Sequence, residues 1–204
     1  MAPSDEQLVA AVQAGDASAF GVLVDRWERK IKGAIYRVLG SDEEASDLAQ
    51  EAFLKAYRGL GRFKREAQFS SWLYQIALNL CRDRLRRQRT RQLVSFEALA
   101  ERGALRPSVA GPSAHELVEA RDLSRLVAEA VAELPEEHRE VIVLKEYQEL
   151  TFLEVAEILE LPVSTVKTRL YRGLGLLRRH LEQKGIRAAP ELSASGAATR
   201  SHGR

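Results

Sequence analysis

The sequence predicts an all-α protein in two parts, and three observations predict it. Apolar residues recur at helical spacing along nearly the whole chain, no proline stands between Ser4 and Arg106, and the periodicity fails over 92–115 before it resumes. Each part is near the size at which one hydrophobic core barely suffices, so two small units are expected. With 45% hydrophobic and 29% charged residues in 204, the composition is that of a folded chain.

Taken in order, a first helix is expected from about Asp5 to Ala14. A second follows from about Ala17 to Leu39, with Phe20, Leu23, Val24, Trp27, Ile31 and Ile35 on one stripe. Ser41 with Glu44 has capping-box spacing and acidic residues crowd the turn after it, so a third helix starts there and stops at Gly59 and Gly61. Within it Leu48, Ala52, Leu54 and Ala56 are packing positions, and Asp47, Gln50 and Glu51 form a polar patch. A polar loop carrying Phe63 and Phe69 leads to a helix over 71–91. That helix is apolar at first, through Trp72, Leu73, Ile76, Ala77 and Leu80, and then basic. Trp72 could serve as a stacking platform, but its spacing with Leu73, Ile76 and Leu80 favours core packing.

Gly103, Pro107, Gly111 and Pro112 mark 92–115 as a linker between a unit at 1–91 and a second at 116–184. In the second unit, helical spacing resumes from Leu117 to Leu134, and Pro135 opens a further helix whose buried side is Val141, Ile142 and Leu144. Thr151 with Glu154 is another capping box, starting a short helix with Phe152, Val155, Ala156 and Leu159 inward. The chain turns at Glu160 to Pro162, and a last helix starts near Val163. Residues 185–204 lack apolar periodicity and read as a disordered tail.

The last two helices form a helix-turn-helix. On a wheel of the second, Val163, Val166, Leu170, Leu174 and Leu177 share one arc, and Ser164, Thr165, Thr168, Tyr171 and Arg172 lie opposite. Such a helix is held by its inner face and offers hydroxyls, a ring and a guanidinium to base edges and phosphates. Lys167 and Arg169 flank that face, within reach of phosphates.

Charge is segregated. Lys and Arg outnumber Asp and Glu by nine to two in 62–91 and again in 161–204, whereas acids lead by fifteen to six in 92–160. Two separated basic blocks suggest two contacts with one polyanion. Arg82, Arg84, Arg86, Arg87, Arg89 and Arg91 outnumber the acids of their own segment, so the helix carrying them, with the loop around Phe63, Lys64, Arg65 and Phe69, could hold a backbone while an exposed base enters a pocket.

Other classes fit less of the chain. His115, His138, His180 and His202 are scattered, and no His, Cys or carboxylate constellation suggests a metal or a nucleophile, so neither an enzyme nor a cofactor is expected. The single Cys81 excludes an internal disulfide, and its neighbours Ile76, Ala77 and Leu80 make it a small buried residue. No run approaches the roughly 20 apolar residues of a membrane span, and the N-terminus lacks a basic region followed by an apolar core, so a cytoplasmic protein without membrane insertion is expected. A dimeric helix-turn-helix transcriptional regulator would account for 161–204 but not for the loop and arginine-rich helix of the first part. A module that binds acidic proteins is a further alternative.

DEEASDLAQEAFLKAYRGLGRFKREAQFSSWLYQIALNLCRDRLRR closely resembles region 2 of extracytoplasmic function (ECF) sigma factors, and LPEEHREVIVLKEYQELTFLEVAEILELPVSTVKTRLYRGLGLLRRHL resembles their region 4. The resemblance implies a dissociable subunit that binds core RNA polymerase and directs it to promoters, with an anti-sigma factor as a further partner. Asp47, Leu48, Gln50 and Glu51 would dock on the coiled coil of the largest polymerase subunit. The Phe63 to Ser70 loop, with Asn79, Arg82, Arg86 and Arg87, would engage the -10 element and capture a flipped base. Lys167, Thr168, Tyr171 and Arg172 match positions that contact the -35 duplex. Glu160 and Ser164 stand where the family often has Gly, and Gly173 and Gly175 interrupt the recognition helix, whose far end is therefore expected to fray.

Overall fold

The computed structural model describes residues 2–63, 68–100 and 119–186, with side chains described outside 92–100 and 119–125. Among the described residues it is all helical, without a strand.

Local capping sets the starts. Ser4 begins α1, Asp5–Gln13, through a reciprocal box in which its N–H donates to Gln7 Oε1 at 2.9 Å and its hydroxyl accepts from the Gln7 N–H. Helix α2, Ser18–Leu39, stops at Gly40, whose φ of +80° closes the last turn in a conformation that glycine adopts without strain. Ser41 caps α3, Asp42–Gly59, which tightens into a 3-10 turn over Leu60–Arg62.

Helix α4 spans Phe69–Ala100 and so runs nine residues into the segment expected to be linker. Between Gln92 and Ala100 the sequence holds neither Gly nor Pro, and Gln, Leu, Glu and Ala propagate a helix already nucleated. The remainder of that linker lies outside the described residues, as does the tail from 187 onward.

In the second half, α5 covers Glu119–Ala132 and α6 covers Glu136–Ile142, running on into a wide π turn at Val143–Tyr147. Thr151 and Glu154 form the expected box at the start of α7, Phe152–Leu159, and α8 covers Val163–Gln183. Glu160 ends α7 at φ +54°, a left-handed conformation that explains why glycine would suit this turn.

The core is continuous through both halves. Leu23, Ile31, Ile35, Ala52, Leu73 and Leu78 fill the first and Val141, Leu144, Val155 and Val166 the second, each at most 1% exposed. Burying one such Ile or Leu fully contributes roughly 2 kcal/mol. Helix α4 lies on α7, and α2 meets α5, α6 and the π turn. Arg139 of α6 pins this junction. Its guanidinium donates to the carbonyls of Val38 on α2 and of Ala132 and Leu134 before α6.

Candidate nucleic-acid interface

Three surfaces carry the residues singled out by sequence. On α3, Asp47, Gln50 and Glu51 are exposed along one side, and Glu51 pairs with Lys55 at 3.2 Å. Leu48, from the same set, points inward at 9% exposure and supports the face from beneath. Leu54, expected as a packing position, is 54% exposed because it stands one and two turns beyond Gln50 and Asp47 on the outer stripe. With Phe20, Val24, Phe53 and Tyr57 it lines an apolar groove between α2 and α3 that the sequence reading missed. The run of apolar residues at i, i+3 and i+4 hid which of them faced out.

The second surface is α4 and the turn before it. Phe63, Phe69 and Trp72 form an aromatic cluster, with Phe63 stacked on Trp72 at 4.8 Å between ring centroids. Phe69 is 1% exposed, so it is a core residue that props up Phe63 and Trp72 and not a contact in its own right. Trp72 is half-buried and lies against Gly59, where an added Cβ would come within 3.0 Å of the indole. Lys64 and Arg65 lie outside the described residues. Asn79 is exposed and its Oδ1 accepts from Arg82 Nη1 at 2.9 Å, exposed Arg86 pairs with Asp83 on its own helix at 2.7 Å, and Arg87 is exposed. The arginines do find acids, in other segments: Arg84 pairs with Glu44, Arg82 with Glu140 and Arg89 with Glu136.

Glu140 was not visible as a site residue. Its side chain is 3% exposed and takes a forked contact from Arg82, Nε to Oε1 at 2.7 Å and Nη2 to Oε2 at 2.6 Å. Burial pushes its carboxyl above the usual carboxylate range, against the pull of Arg82. Spacing with Val141 and Leu144 on the inward side was the available signal. Cys81 is fully buried beside this pair, and desolvation lifts its thiol to about 12, so it behaves as a small apolar residue.

The third surface is α8. Val166, Leu170 and Gly173 are buried, with Val163 and Leu177 partly so, while Leu174 at 36% exposure falls off the inner stripe. Gly173 takes its place because α6 passes so close that a Cβ there would meet Ile142 Cδ1 at 2.9 Å. The helix continues through Gly173 and Gly175 to Gln183. Ser164, Lys167, Thr168, Tyr171 and Arg172 are exposed and Thr165 half-exposed. The Thr168 hydroxyl donates to the Ser164 carbonyl at 2.9 Å, leaving its oxygen free to accept. Lys167 lies over the Phe152 ring, and Arg169 is held by Glu137 at 3.0 Å, which turns it from the flank toward α6.

A helix-turn-helix with a polar outer face, joined to a bundle bearing an arginine-rich helix, is the architecture of a two-part DNA-binding protein. The model of sigma-70 region 2 matches residues 23–91 and that of sigma-70 region 4 matches residues 124–177. The ECF RNA polymerase sigma factor SigW of Bacillus subtilis is 40% identical over 173 residues, 83% of this chain and 92% of that protein. The RNA polymerase sigma-H factor of Pseudomonas aeruginosa is 35% identical over 87% of this chain and 94% of its own length. Among solved structures, CnrH in complex with the cytosolic domain of CnrY superposes with a TM-score of 0.67 at 26% identity, covering 89% of this chain and 99% of CnrH. The chain belongs to the ECF sigma factors of the sigma-70 family.

Proposed function

We propose a division of labour for a chain whose family function is to bind core RNA polymerase, recognise the -35 and -10 promoter elements and promote DNA opening. The outer side of α3, Asp47, Gln50 and Glu51 with Leu54 and the groove beside it, docks on polymerase. The α4 surface, Asn79, Arg82, Arg86 and Arg87 with Phe63 and the loop bearing Lys64 and Arg65, takes the opened -10 strand. Helix α8 reads the -35 duplex through Ser164, Thr165, Lys167, Thr168, Tyr171 and Arg172.

The observation that supports this most is the exposed face of α8. A hydroxyl, a phenol and a guanidinium within two turns offer donors and acceptors to base edges, and Lys167 offers a charge to the backbone. On α4, arginines hold phosphates and the Phe63–Trp72 stack offers a ring surface to an unpaired base. Binding energy to the exposed strand offsets unpairing, so this chain acts by binding and polymerase performs the chemistry. It works in the cytoplasm, where core polymerase and promoter DNA are. An anti-sigma factor is its regulatory partner; CnrH, 26% identical, is itself found in complex with a second protein, the cytosolic domain of CnrY.

Transcription by purified core polymerase, with and without the chain, on a fragment carrying the promoter upstream of its own gene tests the reading, with permanganate probing of unpaired thymines. Chain-dependent initiation with thymines reactive near -10 is expected. Core polymerase that neither binds the chain nor initiates, while the chain alone protects duplex DNA, would overturn it in favour of a conventional regulator.

A further inference from the structure

Helix α1 supplies no residue to the three surfaces, yet its last residue reaches the edge of one of them. Gln13 Nε2 donates to two carbonyls, that of Leu60 at 2.9 Å and that of Phe63 at 3.1 Å. These acceptors stand 47 and 50 positions further along the chain and bracket the 3-10 turn that follows α3. The Phe63 N–H closes that turn on the same Leu60 carbonyl at 3.1 Å. A carboxamide carries two N–H donors, so one side chain holds both carbonyls of the turn from which the Phe63 ring projects. That ring lies on Trp72 at an interplanar angle of 35°, and the benzo end of the indole lies against Gly59. The far end of α1 is fixed as well: Asp5 accepts from Trp27 Nε1 at 2.9 Å and pairs with Arg26, both on α2, and Leu8 and Val9 are buried. Helix α1 is thus a strut between α2 and the turn that carries Phe63.

We propose that Gln13 is a positioning residue for base selection at the -10 element: without touching DNA, it fixes the height and tilt of the Phe63 ring over Trp72, and with them the fit of an unpaired base. The proposal rests on the assignment of the Phe63–Trp72 surface to the -10 strand. Gln13 is exposed and adds little to the core, whereas the carbonyls it holds orient the residue whose ring is offered to a base. Every base has a π-face, so a ring free to shift stacks on all four alike. A ring held at one height and tilt accepts best the base whose outline fits beside it, because dispersion contact is lost within an ångström of misplacement.

The test compares two variants of the full chain. Gln13→Met keeps the length of the side chain and removes both donors; Gln13→Lys puts donors back with equal reach. Purified core polymerase with each chain transcribes the fragment carrying the promoter upstream of its own gene, with every -10 position changed in turn to all four bases. The preference between bases is a ratio taken within one variant, so the charge added by lysine cancels. At one -10 position that ratio is expected to fall at least about fivefold in Gln13→Met, near the lower end of what stacking of one base contributes, and to return in Gln13→Lys. Core affinity and the thermal midpoint are expected to hold. Unchanged ratios at every position in Gln13→Met overturn the proposal and leave the sigma-factor reading standing. A fall that lysine does not reverse, or one matched by an equal loss of core affinity, also overturns it, because Gln13 is then only a structural tie. No transcription with the unsubstituted chain overturns the sigma-factor reading, and this proposal with it.

Discussion

Arg139 and Glu140 are neighbours in sequence and both buried, but they stabilise in opposite ways. Arg139 satisfies three carbonyls, one of them Val38 on the far side of the junction. Arg139→Ala strands those acceptors away from water and is expected to lower the unfolding free energy by about 3 kcal/mol, read by urea denaturation. Glu140 faces Arg82, Arg169 and Glu136, and desolvation outweighs its partners to raise its pKa. The folded chain therefore binds this proton more tightly than the unfolded chain. The stabilisation from protonated Glu140 is complete below its unfolded-state value and is lost as pH rises through its folded value. Glu140→Gln stays neutral throughout. Wild type should thus gain stability relative to Glu140→Gln as pH falls from neutral to about pH 5, in paired denaturation curves. A difference that moves the other way would show that Arg82 dominates. Neither role was legible in the sequence, because what buries each charge comes from another segment: Arg82 stands 58 positions from Glu140.

Among the elements, what depends on a few adjacent residues was legible and what depends on an approaching helix was not. Both capping boxes, at Ser41's neighbour helix start and at Thr151, lay where side chain and backbone three positions apart settle the matter, although at Ser41 only the hydroxyl half forms. The end of α4 was misjudged because loss of amphipathic spacing does not itself stop a helix; Gly or Pro does. The two glycines of α8 looked alike in sequence and are not alike in the fold. At Gly173 a Cβ would lie 2.9 Å from Ile142 Cδ1 and 3.0 Å from His138 Cβ, whereas at Gly175 nothing lies within 4 Å. Gly173→Ala should destabilise by about 1–3 kcal/mol through overpacking against α6. Gly175→Ala should stabilise by about 1 kcal/mol through helix propensity. Thermal melts of the two variants check the pair, and shifts of the same sign would remove close packing as the reason for Gly173.

At the scale of the whole molecule, the class was legible because two stretches of the chain resemble regions 2 and 4 of ECF sigma factors in that order, whereas the two basic blocks and the capped helix-turn-helix by themselves pointed only to two contacts with a polyanion. How the halves sit together was not, since the contacts between α4 and the second half join residues without any shared periodicity. If the three surfaces have separate partners, damage to one should leave the others working. Lys167→Ala and Arg172→Ala remove a phosphate and a base-edge donor from α8, each costing about 1–3 kcal/mol of DNA contact, so promoter-dependent transcription should fall roughly tenfold while affinity for core polymerase holds. Asp47→Ala and Glu51→Ala lie on the opposite unit, on the exposed side of α3, and should weaken core binding several-fold while leaving duplex binding by the chain unchanged. Core affinity measured by fluorescence anisotropy, and run-off transcription at saturating core, separate the two effects. At saturation the α3 variants should recover most of their activity, because mass action restores a weakened docking step, whereas the α8 variants should not, because their defect follows assembly. Equal loss in all four variants that no core concentration restores, with folding intact, would mean that docking and promoter reading are one cooperative surface instead of two.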